Sequence, residues 1–217
     1  IDTPAGRVTA WVEANPERRV SSVSFRNVPS FVYREEQTYD VDGEAIACTV
    51  AFGGAFYAYV DAGPLGFDLQ PAEAPDLIRL GQRIKQAIGS RLEICHPDGD
   101  EDLNFLYGTI FVRNGKAPGP SRNVCVFAHA ELDRSPTGTG VSGRAAILHA
   151  QGELAPGDEV LIESIIGTVF RVRCVAETKV GEFPAVVPEV TGSAYMTGRH
   201  RFVLDDRDPL AEGFLLR

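Results

Sequence analysis

The sequence predicts an α+β protein whose strands pair mainly in antiparallel fashion. Three observations support this: strand-type segments dominate the chain, turn-forming dipeptides separate them, and two segments have helical character instead. With 217 residues, of which 44% are hydrophobic, the chain is long enough to bury the core of one or two domains.

The strand-type segments show alternating or continuous apolar residues. They are Arg7–Glu13, Val20–Phe25, Ile46–Phe52, Phe56–Asp61, Leu106–Val112, Asn123–Ala128, Glu159–Ile165, Val169–Ala176, Phe183–Val190 and His200–Leu204. Several are separated by the turn-forming pairs Asp42-Gly43, Gly63-Pro64, Asn114-Gly115 and Pro156-Gly157. The first and third of these pairs have the composition of tight hairpin turns, so we expect antiparallel neighbours there.

Two segments have helical character. The first runs from Pro75, a residue suited to a first helical turn, to Ile88, and Gly89 then suits a left-handed stop. Its apolar face consists of Leu77, Leu80, Ile84 and Ile88. The second runs from about Gly140 to Gln151, is rich in small residues, and is followed by Gly152 as a C-cap. Because small residues surround most of this helix, we expect it to lie in the interior, wrapped by strands.

The charge balance argues against nucleic acid as a partner. The net charge is −9, and the only adjacent basic pair is Arg18-Arg19, which we interpret as part of a solvated turn. No apolar run approaches the ~20 residues that span a bilayer, and no signal-peptide pattern opens the chain. The sequence starts at Ile1 without a methionine, so we expect the gene product to begin upstream.

The cysteines indicate a reduced, cytoplasmic protein. Cys48, Cys95, Cys125 and Cys174 are widely spaced and form no CxxC pair, which is poor spacing for a zinc site or a disulfide scaffold. Three of them, all except Cys95, alternate with apolar neighbours. We therefore interpret those three as small hydrophobic residues inside strands.

The most informative stretch runs from Asp133 to Gly140. A glycine-bearing turn that leads into a helix leaves backbone N–H groups free, and together with the helix dipole these attract an anion. Gly138 and Gly140 permit a close approach, Thr137 and Thr139 add hydroxyl groups, and Asp133 adds a carboxylate. The N–H groups could bind the carboxylate of a ligand, and the Asp133 carboxylate could bind its ammonium group. This combination suits an amino acid as the ligand. The alternative is an ordinary strand–helix junction capped by Asp133 or Thr137.

The same stretch, with the sequence DRSPTGTG, resembles the DRSP(C/T)GTG motif of the proline racemase superfamily. That superfamily comprises cofactor-independent proline racemases, hydroxyproline epimerases and trans-3-hydroxy-L-proline dehydratases. Further stretches that resemble it are Thr3–Gly6, Phe52–Ala58, Gly192–Tyr195, Asp208–Leu210 and Gly213–Leu216, so the resemblance covers essentially the whole chain.

The resemblance implies a diaminopimelate epimerase-like two-domain fold. Each domain would be a strand-rich, barrel-like layer around a central helix, with the active site between the two. Residues 1–31 would be the end of a first domain whose earlier part is missing. Residues 32–197 would form the second domain, and residues 198–217 would be a return strand and tail to the first.

Two departures from the racemase pattern point to a dehydratase. Racemases of the family have two cysteines, and one of these stands where this sequence has Thr137, a residue typical of the dehydratases. Ala55 and Tyr57 are also closer to the dehydratases than to the epimerases. The other cysteine of the family lies in an MCGHG-like motif that precedes the segment resembling Thr3–Gly6. No such motif occurs here, so we expect the missing N-terminal part to supply that general base.

The implied reaction converts trans-3-hydroxy-L-proline to Δ1-pyrroline-2-carboxylate and water by removal of the Cα proton and syn elimination. Gly138 and Thr139 N–H groups would hold the carboxylate, Asp133 the ring ammonium, and Tyr57 would contribute to substrate binding. Thr137 would face the ring at the second-cysteine position. No cofactor or metal is implied, since His96, His129, His149 and His200 are scattered. A homodimer is implied, with no nucleic-acid or membrane partner.

Two alternative functions remain open. One is a hydroxyproline epimerase or proline racemase-like isomerase, against which Thr137 argues. The other is a non-catalytic domain that, as it stands, binds an imino acid. A phosphate-binding loop is excluded because no Gly-Lys-Ser/Thr sequence is present.

Overall fold

A closed barrel of strands around one helix forms the centre of the structure. The computed structural model describes residues 1–17, 19–98, 101–114 and 119–214. The strands are β1 Asp2–Thr3, β2 Gly6–Arg7, β3 Thr9–Ala14, β4 Val20–Arg26, β5 Ser30–Val41, β6 Glu44–Phe52, β7 Phe56–Asp61, β8 Leu106–Arg113, β9 Ser121–Phe127, β10 Glu131–Leu132, β11 Glu159–Glu163, β12 Val169–Val180 and β13 Phe183–Gly192. The α-helices are α1 Ala74–Gly89 and α2 Gly138–Ala150, and short 3-10 turns lie at Pro71–Glu73 and Glu101–Leu103.

Eight strands close the barrel in the order β5, β6, β7, β8, β9, β11, β12, β13 and back to β5. Neighbours are antiparallel except for the β7–β8 and β9–β11 pairs, which are parallel. The seam between β5 and β13 is short, with the pairs Phe31↔Ala185 and Ser30↔Val186. Beyond the seam β13 pairs with β4, and β4 with β3, so this hairpin extends the sheet out of the barrel.

Helix α2 lies inside the barrel. Every residue from Gly140 to Leu148 is buried, which leaves the helix no solvent-facing side over that length. Its glycines make the fit possible: a Cβ at Gly140 would overlap Ile110, and a Cβ at Gly143 would overlap the hydroxyl of Tyr59. The predicted interior helix is confirmed, and so is Gly152 after it, which has a φ of +75°.

Helix α1 packs on the outer face of the same sheet. Successive residues of β7 point to opposite faces, so Tyr57 and Tyr59 face α2 while Phe56, Ala58 and Val60 join the cluster around α1. The apolar stripe of α1 contributes its buried residues Leu77, Ile84 and Ile88 to that cluster. The prediction of an amphipathic helix is confirmed. Its predicted left-handed stop is wrong, because Gly89 is the last helical residue and Ser90 after it has a right-handed φ of −80°.

Each predicted strand except the last coincides at least in part with an observed one, and the predicted segment Arg7–Glu13 is divided between β2 and β3. The prediction at His200–Leu204 is wrong: those residues are exposed and form no ladder. The sequence also missed β5. A charged run interrupts its alternation, and the register shifts between Val32 and Gln37, where Glu36 has a φ of +38°.

The turn prediction at Asp42-Gly43 is confirmed, since both residues have positive φ, of 54° and 90°, between β5 and β6. Arg18 of the basic pair, Gly115 of the third turn and Leu215 and Leu216 of the C-terminal stretch lie outside the described residues.

All four cysteines are free thiols. Cys48, Cys125 and Cys174 are buried in β6, β9 and β12, as predicted, whereas Cys95 is exposed. Within the described ranges, neither helix has the length and apolar character needed to cross a bilayer.

We expect Gly143→Ala to destabilise the protein, because the added methyl group would displace the Tyr59 ring from its hydrogen bond with α2. Overpacking of this kind costs about 1–3 kcal/mol. The matched control is Gly89→Ala, which also lies in a helix but meets open space and should leave stability unchanged or slightly higher. Urea unfolding of the full protein measures both. Equal stability of the two variants would contradict the tight packing of α2.

Candidate active site

The turn that leads into α2 is organised around the carboxylate of Asp133. Its Oδ1 accepts the Ser135 N–H at 2.8 Å, and its Oδ2 accepts the Thr137 hydroxyl at 2.8 Å. The Asp133 N–H donates to the Cys125 carbonyl at 3.0 Å, which ties the turn to β9. Asp133 is half-buried, so it shapes the turn and still has a face toward solvent.

Thr137 occupies the N-cap position of α2 in an unusual conformation. Its φ is 70° and its ψ is 106°, a region that β-branched residues rarely adopt and that costs roughly 1–3 kcal/mol. The side chain turns back to Asp133, so it does not cap the helix. Its carbonyl accepts the Val141 N–H at 2.7 Å.

The first amides of α2 therefore have no side-chain cap. Among the residues that the structure describes, no acceptor bonds the N–H groups of Gly138 and Thr139. These groups lie at the positive end of the helix dipole, where an anion is stabilised. The turn for which an anion site was predicted thus presents amide donors that have no acceptor in the described structure.

Two tyrosines of β7 reach the same first turn from the barrel wall. The Tyr57 hydroxyl lies 2.8 Å from Thr139 Oγ1, and the Tyr59 hydroxyl donates to the Gly140 carbonyl at 2.7 Å. The pKa of both phenols is raised, mainly because both side chains are buried. Both therefore stay neutral near pH 7. Tyr57 was predicted as a site residue, whereas Tyr59 was missed, although its spacing of two from Tyr57 indicates the same face of the strand.

The loop between β6 and β7 closes on α2 from another side. A Cβ at Gly53 would overlap both the Thr139 carbonyl oxygen and the Gly143 nitrogen, so the loop backbone touches the helix backbone directly. Asn27, buried at 6% exposure, donates from Nδ2 to the Gly53 carbonyl at 2.7 Å and to Ser142 Oγ at 2.8 Å. Nothing in the sequence singles out Asn27, because its partners lie far along the chain.

A cavity of about 440 Å³ opens beside the Tyr57–Thr139 pair. Its other lining residues include Asn27, Phe105, Tyr107, Thr3, Pro4 and Ala5. Asp133, Thr137 and Gly138 do not line it. The structure therefore places the predicted site residues in two groups, the turn with the free amides and the pair at the cavity, which meet at Thr139.

Cys125 lies directly behind Thr137 and is fully buried. Burial, which is the largest cause, raises the pKa of its thiol to about 12. The thiol is therefore neutral near pH 7. A neutral thiol cannot replace the second cysteine that the racemases have at the position of Thr137. In the described part of the chain, no three His, Cys, Asp or Glu side chains cluster in a way that could hold a metal ion.

An eight-stranded barrel around a central helix, with free amides at the start of that helix, defines a protein of the diaminopimelate epimerase-like fold class. The particular family follows from comparison with known proteins. A family model described as proline racemase matches residues 1–215, and the chain belongs to this family.

Relatives with assigned names include two trans-3-hydroxy-L-proline dehydratases. That of Burkholderia ambifaria is 44% identical over all of this chain and 65% of its own length. That of Colwellia psychrerythraea is 47% identical over all of this chain and 61% of its own length. A hydroxyproline epimerase from Agrobacterium vitis, solved with bound trans-4-hydroxy-L-proline, superposes with a TM-score of 0.88 at 35% identity. This comparison covers 99% of our chain and 61% of the epimerase. The chain thus spans less than two thirds of the length of each of these relatives.

The burial of Cys125 can be tested by alkylation at pH 8 followed by peptide mapping of the full protein. We expect iodoacetamide to label Cys95, which is exposed, at least tenfold faster than Cys125. Burial raises the pKa of the Cys125 thiol to about 12, so very little of it is reactive thiolate at pH 8. Cys48 is the matched comparison, because burial raises the pKa of its thiol to about 12 as well. It should react as slowly as Cys125. Rapid labelling of Cys125 alone would show that the thiol behind Thr137 is accessible and titrating.

Proposed function

We propose that this chain is the C-terminal portion of a cofactor-independent dehydratase that converts trans-3-hydroxy-L-proline to Δ1-pyrroline-2-carboxylate and water. One observation carries the proposal: where the resemblance places the second cysteine of the racemases, this chain has Thr137, whose hydroxyl donates to Asp133 and, unlike a thiol, does not ionise near pH 7. The two named dehydratases, at 44% and 47% identity, support the same reaction.

Substrate binding follows from the free amides. The carboxylate would accept the Gly138 and Thr139 N–H groups, and the helix dipole would stabilise the negative charge that grows there as the Cα proton leaves. Asp133 would bind the ring ammonium. Each of its oxygens already accepts one hydrogen bond, but an ionised carboxylate has about four acceptor positions, so capacity remains. Tyr57 would hold the Thr139 side chain beside the ligand.

The proton chemistry needs one base only. In the trans isomer the 3-hydroxyl and the Cα hydrogen lie on the same ring face, so the elimination is syn. A thiolate from a part of the protein outside this chain would remove the Cα proton. The electron pair of the Cα–H bond becomes the Cα=C3 double bond, the C3–O bond breaks, and the protonated base returns its proton to the departing hydroxide. The enamine then tautomerises to the cyclic imine. Thr137 would contact the opposite face without transferring a proton.

The domain division is part of the proposal. Residues 1–31 would complete a first domain, residues 32–197 form the second, and residues 198–217 return to the first. Support comes from β3, whose residues are all exposed at the free edge of the sheet. Large apolar side chains in both terminal segments are also exposed: Trp11, Val12, Tyr195, Phe202 and Leu204. A first domain would cover this surface. A homodimer belongs to the same proposal through the family resemblance alone.

A hydroxyproline epimerase is the second candidate, because the similar solved structure is one with trans-4-hydroxy-L-proline bound. An epimerase needs a second proton carrier on the face of Thr137. There Thr137 bonds Asp133, and the Cys125 thiol behind it is neutral. The dehydratase is therefore the function that the geometry supports better.

The first test compares the two reactions in the full protein. We expect release of Δ1-pyrroline-2-carboxylate from trans-3-hydroxy-L-proline, with little interconversion of L- and D-proline. Thr137→Cys should allow some interconversion, because it restores a titratable group on the second face. NMR of the product and chiral chromatography of proline measure the two activities. Efficient racemisation of proline by the unmodified protein would contradict the proposal.

The second test concerns the charge of Asp133. Asp133→Asn keeps the shape, and its amide can still bond Ser135 and Thr137, so we expect the fold to survive. Affinity for L-proline, which has no 3-hydroxyl to eliminate, should fall ten- to a hundredfold, as expected for the loss of a charge-assisted contact of about 1.5–3 kcal/mol.

The matched control for this charge is Asp158→Asn. Asp158 accepts the Ala155 N–H in a turn at 2.9 Å, away from α2, and its substitution should leave affinity unchanged. Isothermal calorimetry measures both variants. Equal affinities in both would show that Asp133 only shapes the turn.

A further inference from the structure

The segment that crosses from the β3–β4 hairpin to the barrel passes close to the start of α2. Asn27 is its first residue after β4, and its backbone N–H donates to the Pro188 carbonyl of β13 at 3.0 Å. The residue is 6% exposed, so both its backbone and its side chain lie within the packed structure.

The Asn27 amide joins two backbone segments that are remote in sequence. Its Nδ2 donates to the Gly53 carbonyl, 26 residues away, and to Ser142 Oγ, 115 residues away. Ser142 in turn donates to the Gly138 carbonyl at 2.8 Å. A side-chain amide nitrogen has two hydrogens, so Asn27 uses its full donor capacity on these two contacts.

Both segments belong to the candidate carboxylate site. Gly138 is the first residue of α2 and presents one of the two free amides, while Gly53 lies against the carbonyl of Thr139, which presents the other. The contacts are buried, so their loss would leave the Gly53 carbonyl without its amide donor and would leave the Ser142 hydroxyl with its bond to Gly138 alone. The orientation of the free amides thus depends on a residue that touches neither of them.

We propose that Asn27 is a positioning residue for carboxylate binding, which acts by fixing the first turn of α2 and the Gly53–Gly54 loop to the crossing segment. The proposal rests on the proposed function, because the ligand it concerns is the carboxylate of an imino acid. It predicts that Asn27 affects ligands with a carboxylate and leaves the recognition of the ring and its ammonium unchanged.

The experiment measures the Kd of two ligands for the full protein. L-proline has no 3-hydroxyl to eliminate, and L-prolinamide keeps the ring and the ammonium but has no carboxylate. Asn27→Ala removes both donated bonds. Ser142→Ala removes the link to Gly138 while keeping the Gly53 contact, and alanine favours the helix, so this variant tests the idea even where Asn27→Ala folds poorly.

Ser24→Ala is the matched control. Ser24 lies on β4, three residues before Asn27, and its hydroxyl bonds the Thr191 hydroxyl of β13 at 2.8 Å. We expect Asn27→Ala to raise the Kd for L-proline about tenfold, equivalent to about 1.4 kcal/mol, and Ser142→Ala about threefold. Ser24→Ala should stay within about twofold of the unmodified protein, and the Kd for L-prolinamide should change less than about twofold in every variant.

The outcomes separate the two proposals. The positioning role would be overturned if Asn27→Ala and Ser142→Ala had the same Kd for L-proline as the control Ser24→Ala. This holds whatever the melting temperatures of the variants are. Equal weakening of L-proline and L-prolinamide would also overturn it, because that result indicates general loosening. A protein that binds L-proline with the predicted pattern but does not dehydrate trans-3-hydroxy-L-proline would contradict the proposed function alone. A protein that binds no L-proline would contradict both.

Discussion

The confinement of α2 inside the barrel fixes the position of the groups at the start of that helix. Its residues from Gly140 to Leu148 are all buried, and Gly143 leaves room for the Tyr59 hydroxyl to bond the helix backbone. A helix packed on every side cannot shift or tilt without opening contacts elsewhere. The first amides therefore point in one direction before any ligand arrives. Preorganised donors of this kind stabilise developing negative charge without a cost of reorientation.

The turn before α2 shows how this fold keeps those amides free. A threonine at an N-cap would normally bond an amide of the first turn. Here the positive φ of Thr137 directs its side chain to Asp133 instead. This arrangement costs conformational energy and leaves the Gly138 and Thr139 N–H groups without a partner among the described residues. Strain of this kind tends to concentrate at functional positions, and here it accompanies a helix start without a side-chain cap and a threonine hydroxyl directed to Asp133.

The sequence predicted those parts of the fold whose signals are local. Helix α2 and its interior location were predictable from its small residues, and α1 from its apolar stripe. Strand β5 was not, because the bulge at Glu36 places charged residues where an alternating pattern would be expected. The predicted strand at His200–Leu204 has a strand-like local pattern but no neighbour to pair with in the described structure.

The residues of the candidate site likewise divide into those that a local sequence pattern marks and those that it does not. Asp133, Thr137, Gly138 and Thr139 lie in one contiguous motif, and the motif resembles a known family, so they could be found from sequence. Asn27 and Cys125 reach the site only through tertiary contacts, and no local pattern marks them. For Asp133 the sequence left two roles open, binding of the ammonium or capping of the strand–helix junction, and in the structure its carboxylate holds the turn and the Thr137 hydroxyl.

The central claim is that the free amides of α2 bind the substrate carboxylate. A crystal structure of the full protein with L-proline tests it most directly. We predict a carboxylate oxygen about 2.7–3.2 Å from the backbone nitrogens of Gly138 and Thr139, with the ring nitrogen facing Asp133. A ligand seated wholly in the cavity beside Tyr57 and Tyr107, with both amides left unbonded, would contradict the account.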